Sequence, residues 1–335
     1  MYIEYFGLTE EPFSLASDPE FFYPSSSQKE ALARLQFGID LRKGLLILTG
    51  DVGSGKTIVI QTLVFNRKPD QNMALIVNPR VVGSRLIPNI CRELGIELDF
   101  AQMSKSEIFT ILTEYVLKKS FYDQNFIIIV DDAHELSPEQ LDDILLLVKV
   151  ETNTRQLIQV VLTGLPDLLD KLKSPERKPL YQRIQIHYHI KPFSYADTQN
   201  FILHRLAKSG LKKQEIFKAD AIQRIHQLSG GIPRTICVIA SNAMLYAFLK
   251  KIKKIDYQIV NSATDETLQA SVDEEAVAPE VELKEKYPPR LKQKPQHLPK
   301  KRPWLTWALI ALFLIIALIG LNILAEYLIS YFNLF

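Results

Sequence analysis

Apolar positions in this chain come in short continuous runs, separated by stretches with helical spacing. The runs "GLLILTG" (44–50), "MALIVNP" (73–79), "FIIIVDD" (126–132), "LIQVVLTG" (157–164) and "QIHYHI" (185–190) predict strands. The first, third and fourth are almost unbroken, the pattern of strands buried on both faces. Residues 55–66, 84–94, 105–119 and 137–149 between them carry helical patterns. Strand–helix alternation predicts an α/β fold with a parallel sheet and helices on both sides. After "KPF" (191–193) the strand patterns stop. "SYADTQNFILHRLAKSG", "KADAIQRIHQLSGG" and "IPRTICVIASNAMLYAFLKK" then predict helices. The expected organisation is a core over 1–192, including the N-terminal segment, and a helical lid over 193–262. No internal repeat is visible.

The pattern changes again beyond the lid. "DETLQASVDEEAVAPEVELKE" is acidic, and "KYPPRLKQKPQHLPKKRP" is basic and rich in proline. Few apolar residues and many prolines predict a disordered tether over 263–303. Its basic half either lies on anionic lipid headgroups or serves as a plain solvated spacer. "WLTWALIALFLIIALIGLNIL" (304–324) is 21 residues without a charge. At helical rise that crosses a hydrocarbon core of about 30 Å, which predicts a transmembrane helix. "KKR" (Lys300 to Arg302) precedes it and nothing basic follows, so the positive-inside rule places the N-terminal bulk in the cytoplasm. Trp304, Trp307, Tyr327 and Tyr331 sit where interfacial aromatics belong, and 325–335 is left as a short extracytoplasmic tail.

Composition narrows the function classes. The 335 residues carry a net charge of only +2, so no large basic field advertises nucleic acid. Cys91 and Cys237 form no CxxC pair and read as buried, reduced thiols. "MYIEYFGLTEEPF" has early acids and no long apolar run, unlike a signal peptide.

The chemistry begins at "GDVGSGKT", which matches G-x4-G-K-T between a predicted strand and a predicted helix. Gly50, Asp51, Val52, Gly53, Ser54, Gly55, Lys56 and Thr57 are thus candidates for phosphate binding. Glycines let backbone N–H groups curl around phosphate oxygens, and the following helix turns its N-terminus to the same anion. Lys56 would neutralise the β- and γ-phosphates of ATP, and Thr57 would bind Mg²⁺. Asp131 ends an apolar strand expected to neighbour the phosphate-loop strand, and is the second Mg²⁺ candidate. Asp132 is the candidate base that orients the attacking water, against the alternative of a polar strand end. Glu135 reads better as a helix-entry residue. Thr163, closing the fourth strand, either places a polar group between the two nucleotide-binding strands or simply ends a strand. Arg183 precedes the fifth strand, where an arginine can reach a neighbouring subunit's γ-phosphate; Arg177 and Lys178 are weaker candidates. In "GGIPRT" (230–235) the glycines end one helix, Pro233 opens the next, and Arg234 projects from its first turn toward the phosphates.

Taken together these residues resemble the AAA+ ATPases, and more narrowly the general secretion pathway protein A family. "YFGLTEEPFSLASDPEFFY" (5–23) joined to the phosphate loop is the distinctive part. "VDDAHEL", "LTGLPDL", "LYQRIQIHYHIKPFS" and "LSGGIPRTICVIASNAML" continue the likeness over about residues 2–258. The resemblance implies an ATPase using ATP and Mg²⁺, forming nucleotide-dependent homo-oligomers at the bacterial inner membrane. It also implies an inner-membrane partner and a role in assembling secretin-like secretion or pilus machinery. Two departures stand out. The family usually has Asp-Glu where this chain has Asp131–Asp132, and Gly-Gln-Pro-Glu where it has Gly164-Leu165-Pro166-Asp167. The shorter Asp132 loses about 1.5 Å of reach, and a misplacement of that order slows a reaction about 10²-fold. Family members continue into a peptidoglycan-binding domain after the membrane helix, and this sequence stops there. Two further readings stand beside the enzyme: a nucleotide-gated scaffold with little turnover, and a DNA-binding regulator. The last is disfavoured by the apolar span and by the lack of a basic helix-turn-helix extension.

Overall fold

The computed structural model describes residues 2–15, 21–82, 85–211 and 215–274. The candidate membrane span, the tail and the linker from residue 275 on, its basic half included, lie outside the described residues. Among the described residues, no helix is long and apolar enough to cross a membrane. Met1–Val277 form one compact unit, which contains every buried hydrophobic cluster described below.

A short helix, α1 (Tyr2–Tyr5), is followed by α2 (Ser26–Asp40), β1 (Leu45–Gly50), α3 (Lys56–Phe65) and β2 (Gln71–Ile76). Then come α4 (Pro79–Val82), α5 (Leu86–Glu93), α6 (Lys105–Ser120), β3 (Asn125–Val130), α7 (Pro138–Leu147) and β4 (Ile158–Gly164). The helices α8 (Asp167–Lys173) and α9 (Lys178–Tyr181) lead to β5 (Ile184–Ile190). Four helices close the described chain: α10 (Tyr195–Lys208), α11 (Ala219–Ser229), α12 (Pro233–Leu249) and α13 (Tyr257–Glu274).

All five strands are parallel, in the order β2-β3-β4-β1-β5. β1, β3 and β4 are buried at every position, so all three are interior strands, as their unbroken apolar runs require. β5 lies at an edge and alternates between covered and open positions. The expectation that the Asp131 strand adjoins the phosphate-loop strand is corrected: β4 lies between them, paired with both. Parallel pairing is set by long-range packing, which the local run of apolar residues does not encode. β2 ends at Ile76 rather than near residue 79, because Asn78 takes a left-handed conformation (φ 54°) and Pro79 opens α4.

One apolar cluster fills the face under α5, α6 and α7, and another fills the face under α2 and α3. A third lies among α10 to α13 and takes in Phe6, Leu8 and Phe13. Phe6, Leu8 and Phe13 thus pack with the helices while Phe22, later in the same segment, lies against the sheet cluster, and the grouping of 1–192 as one core is corrected accordingly. Phe6 meets Tyr5 edge-on, Phe13 meets Phe217 edge-on, and the Thr9 amide donates to the Ser209 carbonyl at 2.8 Å. Each buried phenylalanine contributes about 1.5–3 kcal/mol. The linker boundary also moves. Val260 and Ala263 are buried in the third cluster, and α13 runs on to Glu274 through residues free of Pro and Gly, so 263–274 are helical rather than tether. Cys91 and Cys237 are free and buried, and burial pushes both thiols up to about 11.

Candidate nucleotide site

The loop 50–57 leaves the end of β1 and enters α3 at Lys56, with Gly55 as the N-cap. Lys56 is buried, and its ammonium donates to the carbonyls of Gly50 at 2.9 Å and Asp51 at 3.0 Å. Burial pulls Lys56 below the usual lysine range, while Asp132, Asp131 and Asp51 oppose that shift.

Asp131 is 2% exposed and sits where β3 ends; its amide continues the ladder to the Ile76 carbonyl at 2.9 Å. Its carboxylate is held from three sides. The Thr57 hydroxyl donates to one oxygen at 2.8 Å. The Asp132 amide at 3.0 Å and the Thr163 hydroxyl both donate to the other. Thr163 stands on β4, between the two strands that carry the phosphate loop and Asp131, so the corrected strand order supplies the reason it is there. Hydroxyl and carboxylate oxygens are the hard donors that suit Mg²⁺. Among the described residues no cluster of three or more His, Cys, Asp or Glu side chains can hold a metal by itself. Thr57 and Asp131 would therefore hold such an ion only together with phosphate oxygens and water, as is usual for Mg²⁺.

Asp132 follows with φ 51°, in the left-handed region that Asp tolerates better than most residues. It lines the cleft. Burial, then the neighbouring Asp131 charge, push its carboxyl above the ordinary range. Glu135 also reaches the cleft but pairs with Arg80 at 3.2 Å. Leu165, at the point of departure from the family pattern, is part of the wall.

The second wall comes from the helical bundle. The Arg234 amide donates to the Gly53 carbonyl at 3.3 Å, and its side chain lines the cleft. Gly53 is at φ 76°, and a Cβ there would lie 2.6 Å from the Arg234 Cβ, so loop and helix touch at a point that tolerates no side chain. Gly231 does the same against the segment that follows β5: a Cβ would meet the Phe193 carbonyl oxygen at 2.2 Å. The cleft encloses about 510 Å³. Its far end is apolar, with Leu15, Phe22, Tyr23, Phe193 and Phe201 around it. Arg205 fixes the strap above this end by donating to the carbonyls of Pro12 (3.1 Å) and Ser14 (2.9 Å).

Arg183 is not in the cleft. It precedes β5 at the opposite end of the sheet, donates to the Val148 carbonyl at 3.1 Å and lies 3.9 Å from Glu151. Arg177 pairs with Asp142. Neither can serve this chain's own phosphate loop.

Gln28, His134 and Asn78 are among the cleft residues not read from the sequence. Gln28 is buried, donates to the Ser54 carbonyl at 3.1 Å, and is fixed by a capping box with Ser25. The pattern Ser-x-x-Gln ahead of a helix is the signal that would have found it. His134 has a buried ring nitrogen, Nδ1, without a hydrogen-bond partner among the described residues. Asn78 enters through the left-handed turn after β2.

Residues 39–172 match the AAA domain family. The chain is 35% identical over 266 residues, 79% of its length, to general secretion pathway protein A of Aeromonas hydrophila. The chain is an AAA+ ATPase related to general secretion pathway protein A. It spans about half, 48%, of that relative's length. Among solved structures this AAA+ chain is similar to Cdc6p of Pyrobaculum aerophilum (TM-score 0.59, 21% identity, 77% of this chain and 71% of that one). It is also similar to the Aeropyrum pernix ORC2 protein (TM-score 0.58, 15% identity, 78% and 73%). Identities this low establish a common AAA+ fold and nothing finer.

Proposed function

We propose that this AAA+ protein binds MgATP and hydrolyses it to ADP and phosphate while tethered at the bacterial inner membrane. The observation that carries the reading is Asp131, buried and bridged by the hydroxyls of Thr57 and Thr163 directly beside the Lys56 loop. In this reading the loop amides and Lys56 bind the β- and γ-phosphates, and the apolar end of the cleft takes the base. Bound Mg²⁺ would supply charge neutralisation between those phosphates, held by Thr57 and Asp131. Asp132 orients a water and accepts its proton as the water oxygen attacks the γ-phosphorus, and the bond to the β-phosphate oxygen breaks. Arg234 senses the γ-phosphate from the bundle, which acts as the lid. Arg183 faces away from its own loop and suits a neighbour's nucleotide, so homo-oligomers complete the site.

The apolar segment 304–324 serves as the anchor, with the ATPase body in the cytoplasm and the C-terminus in the periplasm. The named relative belongs to a general secretion pathway. By that kinship the ATPase drives or gates assembly of envelope secretion or pilus machinery with an inner-membrane partner, and nucleic acid is not its substrate. The deciding measurement is ATP turnover by the full chain in detergent, against Lys56→Ala. No turnover above that control would sink the enzyme. A second reading then takes over, a scaffold in which ATP only promotes oligomers; the short Asp132 and the apolar Leu165 in the cleft wall favour it.

A further inference from the structure

The nucleotide cleft occupies the end of the sheet where β1 and β3 finish. The other end, where the strands begin, has a different character. Because the strands are parallel and in register, the segments before β1, β2 and β3 gather there. They are cross-linked: Arg42 bonds Asp123 at 2.9 Å, Lys68 bonds Asp40 at 2.7 Å, and the Asn125 amide donates to the Asp70 carbonyl at 2.8 Å.

From this end three aromatic side chains stand in solvent: Phe121 at 80% exposure, Tyr122 at 79% and Phe65 at 73%. Leu41 and Phe37, at the end of α2, are also exposed. Isolated exposed apolar residues are ordinary, but a group of large ones on adjoining segments marks an interaction surface. The same segments carry Lys43, Arg67, Lys119 and the paired Arg42, Lys68 and Lys118, six cations against the carboxylates Asp40, Asp70, Glu114 and Asp123. That excess of two positive charges equals the net +2 of the whole chain, gathered at one end of the sheet. Lys43, Arg67 and Lys119 have no carboxylate partner among the described residues.

We propose that this end of the sheet is a docking surface for anionic lipid headgroups. Tyr settles at the headgroup level, exposed Phe inserts at the headgroup–acyl boundary, and unpaired Lys and Arg are drawn to an anionic leaflet. A second copy of the chain would bring the same positive excess against itself, whereas an anionic bilayer complements it. The sequence also brings a bilayer within reach. Residues 275–303 separate α13 from the apolar segment 304–324, and extended they span at most about 100 Å. The sheet is only about 20–23 Å from end to end, so the body can turn this surface to the membrane and keep the cleft on the far side. Proximity, but not the surface itself, rests on reading 304–324 as the anchor.

The test uses residues 1–277, the compact unit that holds all three apolar clusters, so that the apolar segment cannot supply the binding. Sedimentation with vesicles of phosphatidylglycerol and phosphatidylethanolamine should carry the fragment down, and pure phosphatidylcholine vesicles should not. Phe65→Ser/Phe121→Ser/Tyr122→Ser, and separately Arg67→Glu/Lys119→Glu, should each lower the bound fraction at least about tenfold. Both variants should keep the parent's melting temperature and ATP binding. Failure of the parent to bind anionic vesicles overturns the proposal, as does binding that neither variant changes. Concentration-dependent dimers that the aromatic variant abolishes, without vesicle binding, would assign the surface to a second copy and overturn it too. Alkaline extraction of the full chain from membranes tests the anchor separately, so the two readings fail independently.

Discussion

The sheet and the helical bundle reach stability by different routes. The sheet core is built from segments that follow one another, each strand an apolar run packed under the helices beside it. The bundle closes its core with Phe6, Leu8 and Phe13, from the opposite end of the described chain. The cleft lies between the two, with Lys56 and Asp132 from one side and Arg234 and Arg205 from the other. Its chemistry therefore sits on the locally encoded part, while its shape depends on a contact made across most of the sequence.

Separating these two contributions gives the largest expected effect. Phe13→Ala should destabilise the bundle by about 3–5 kcal/mol, leaving a cavity against Phe217. Hydrogen exchange should then show α10 to α13 opening before the sheet; uniform loss of protection would mean the two halves unfold as one. On the sheet side, Lys56→Ala should lower ATP turnover about 10²–10³-fold with little change in melting temperature.

Asp132 sharpens the contrast within the site. A carboxylate base works only when deprotonated, so activity is lost as pH falls through its pKa. Burial and Asp131 raise that pKa, so the acid limb of kcat/KM should lie above the ordinary value of 3.8, and Asp132→Asn should remove both limb and turnover. Asp132→Glu should accelerate hydrolysis if reach is the deficit. The smallest effect is expected at Gln28→Ala, about 1–2 kcal/mol from the bond to the Ser54 carbonyl, visible as weaker ATP binding rather than as a change in kcat.

Much of the sheet side was legible in the sequence because its signals are local. Unbroken apolar runs mark β1, β3 and β4, and the G-x4-G-K-T spacing places Lys56 and Thr57 together in one loop. Strand order was not legible: nothing in "FIIIVDD" says that β4, rather than β1, is its neighbour. The N-terminal segment was misplaced because Phe6, Leu8 and Phe13 follow neither a strand nor a helix period, and their partners lie near residues 193–263. Acidic residues after 263 suggested a tether, but Val260 and Ala263 anchor a helix that carries them along. At the site, Gln28 was missed because a buried amide on a helix looks like any surface polar residue until its partner, the Ser54 carbonyl, is known.

The packing of the first residues against the last helices has a consequence during synthesis. Phe6, Leu8 and Phe13 are made roughly 180 or more residues before the side chains that cover them. At about 5–20 residues per second they wait on the order of 10–40 s in water. The sheet can form in that interval, but the wall that carries Arg234 and the strap held by Arg205 cannot. A nascent chain thus acquires its phosphate loop well before it acquires a closed cleft, and these three greasy side chains are open to chaperones throughout the delay.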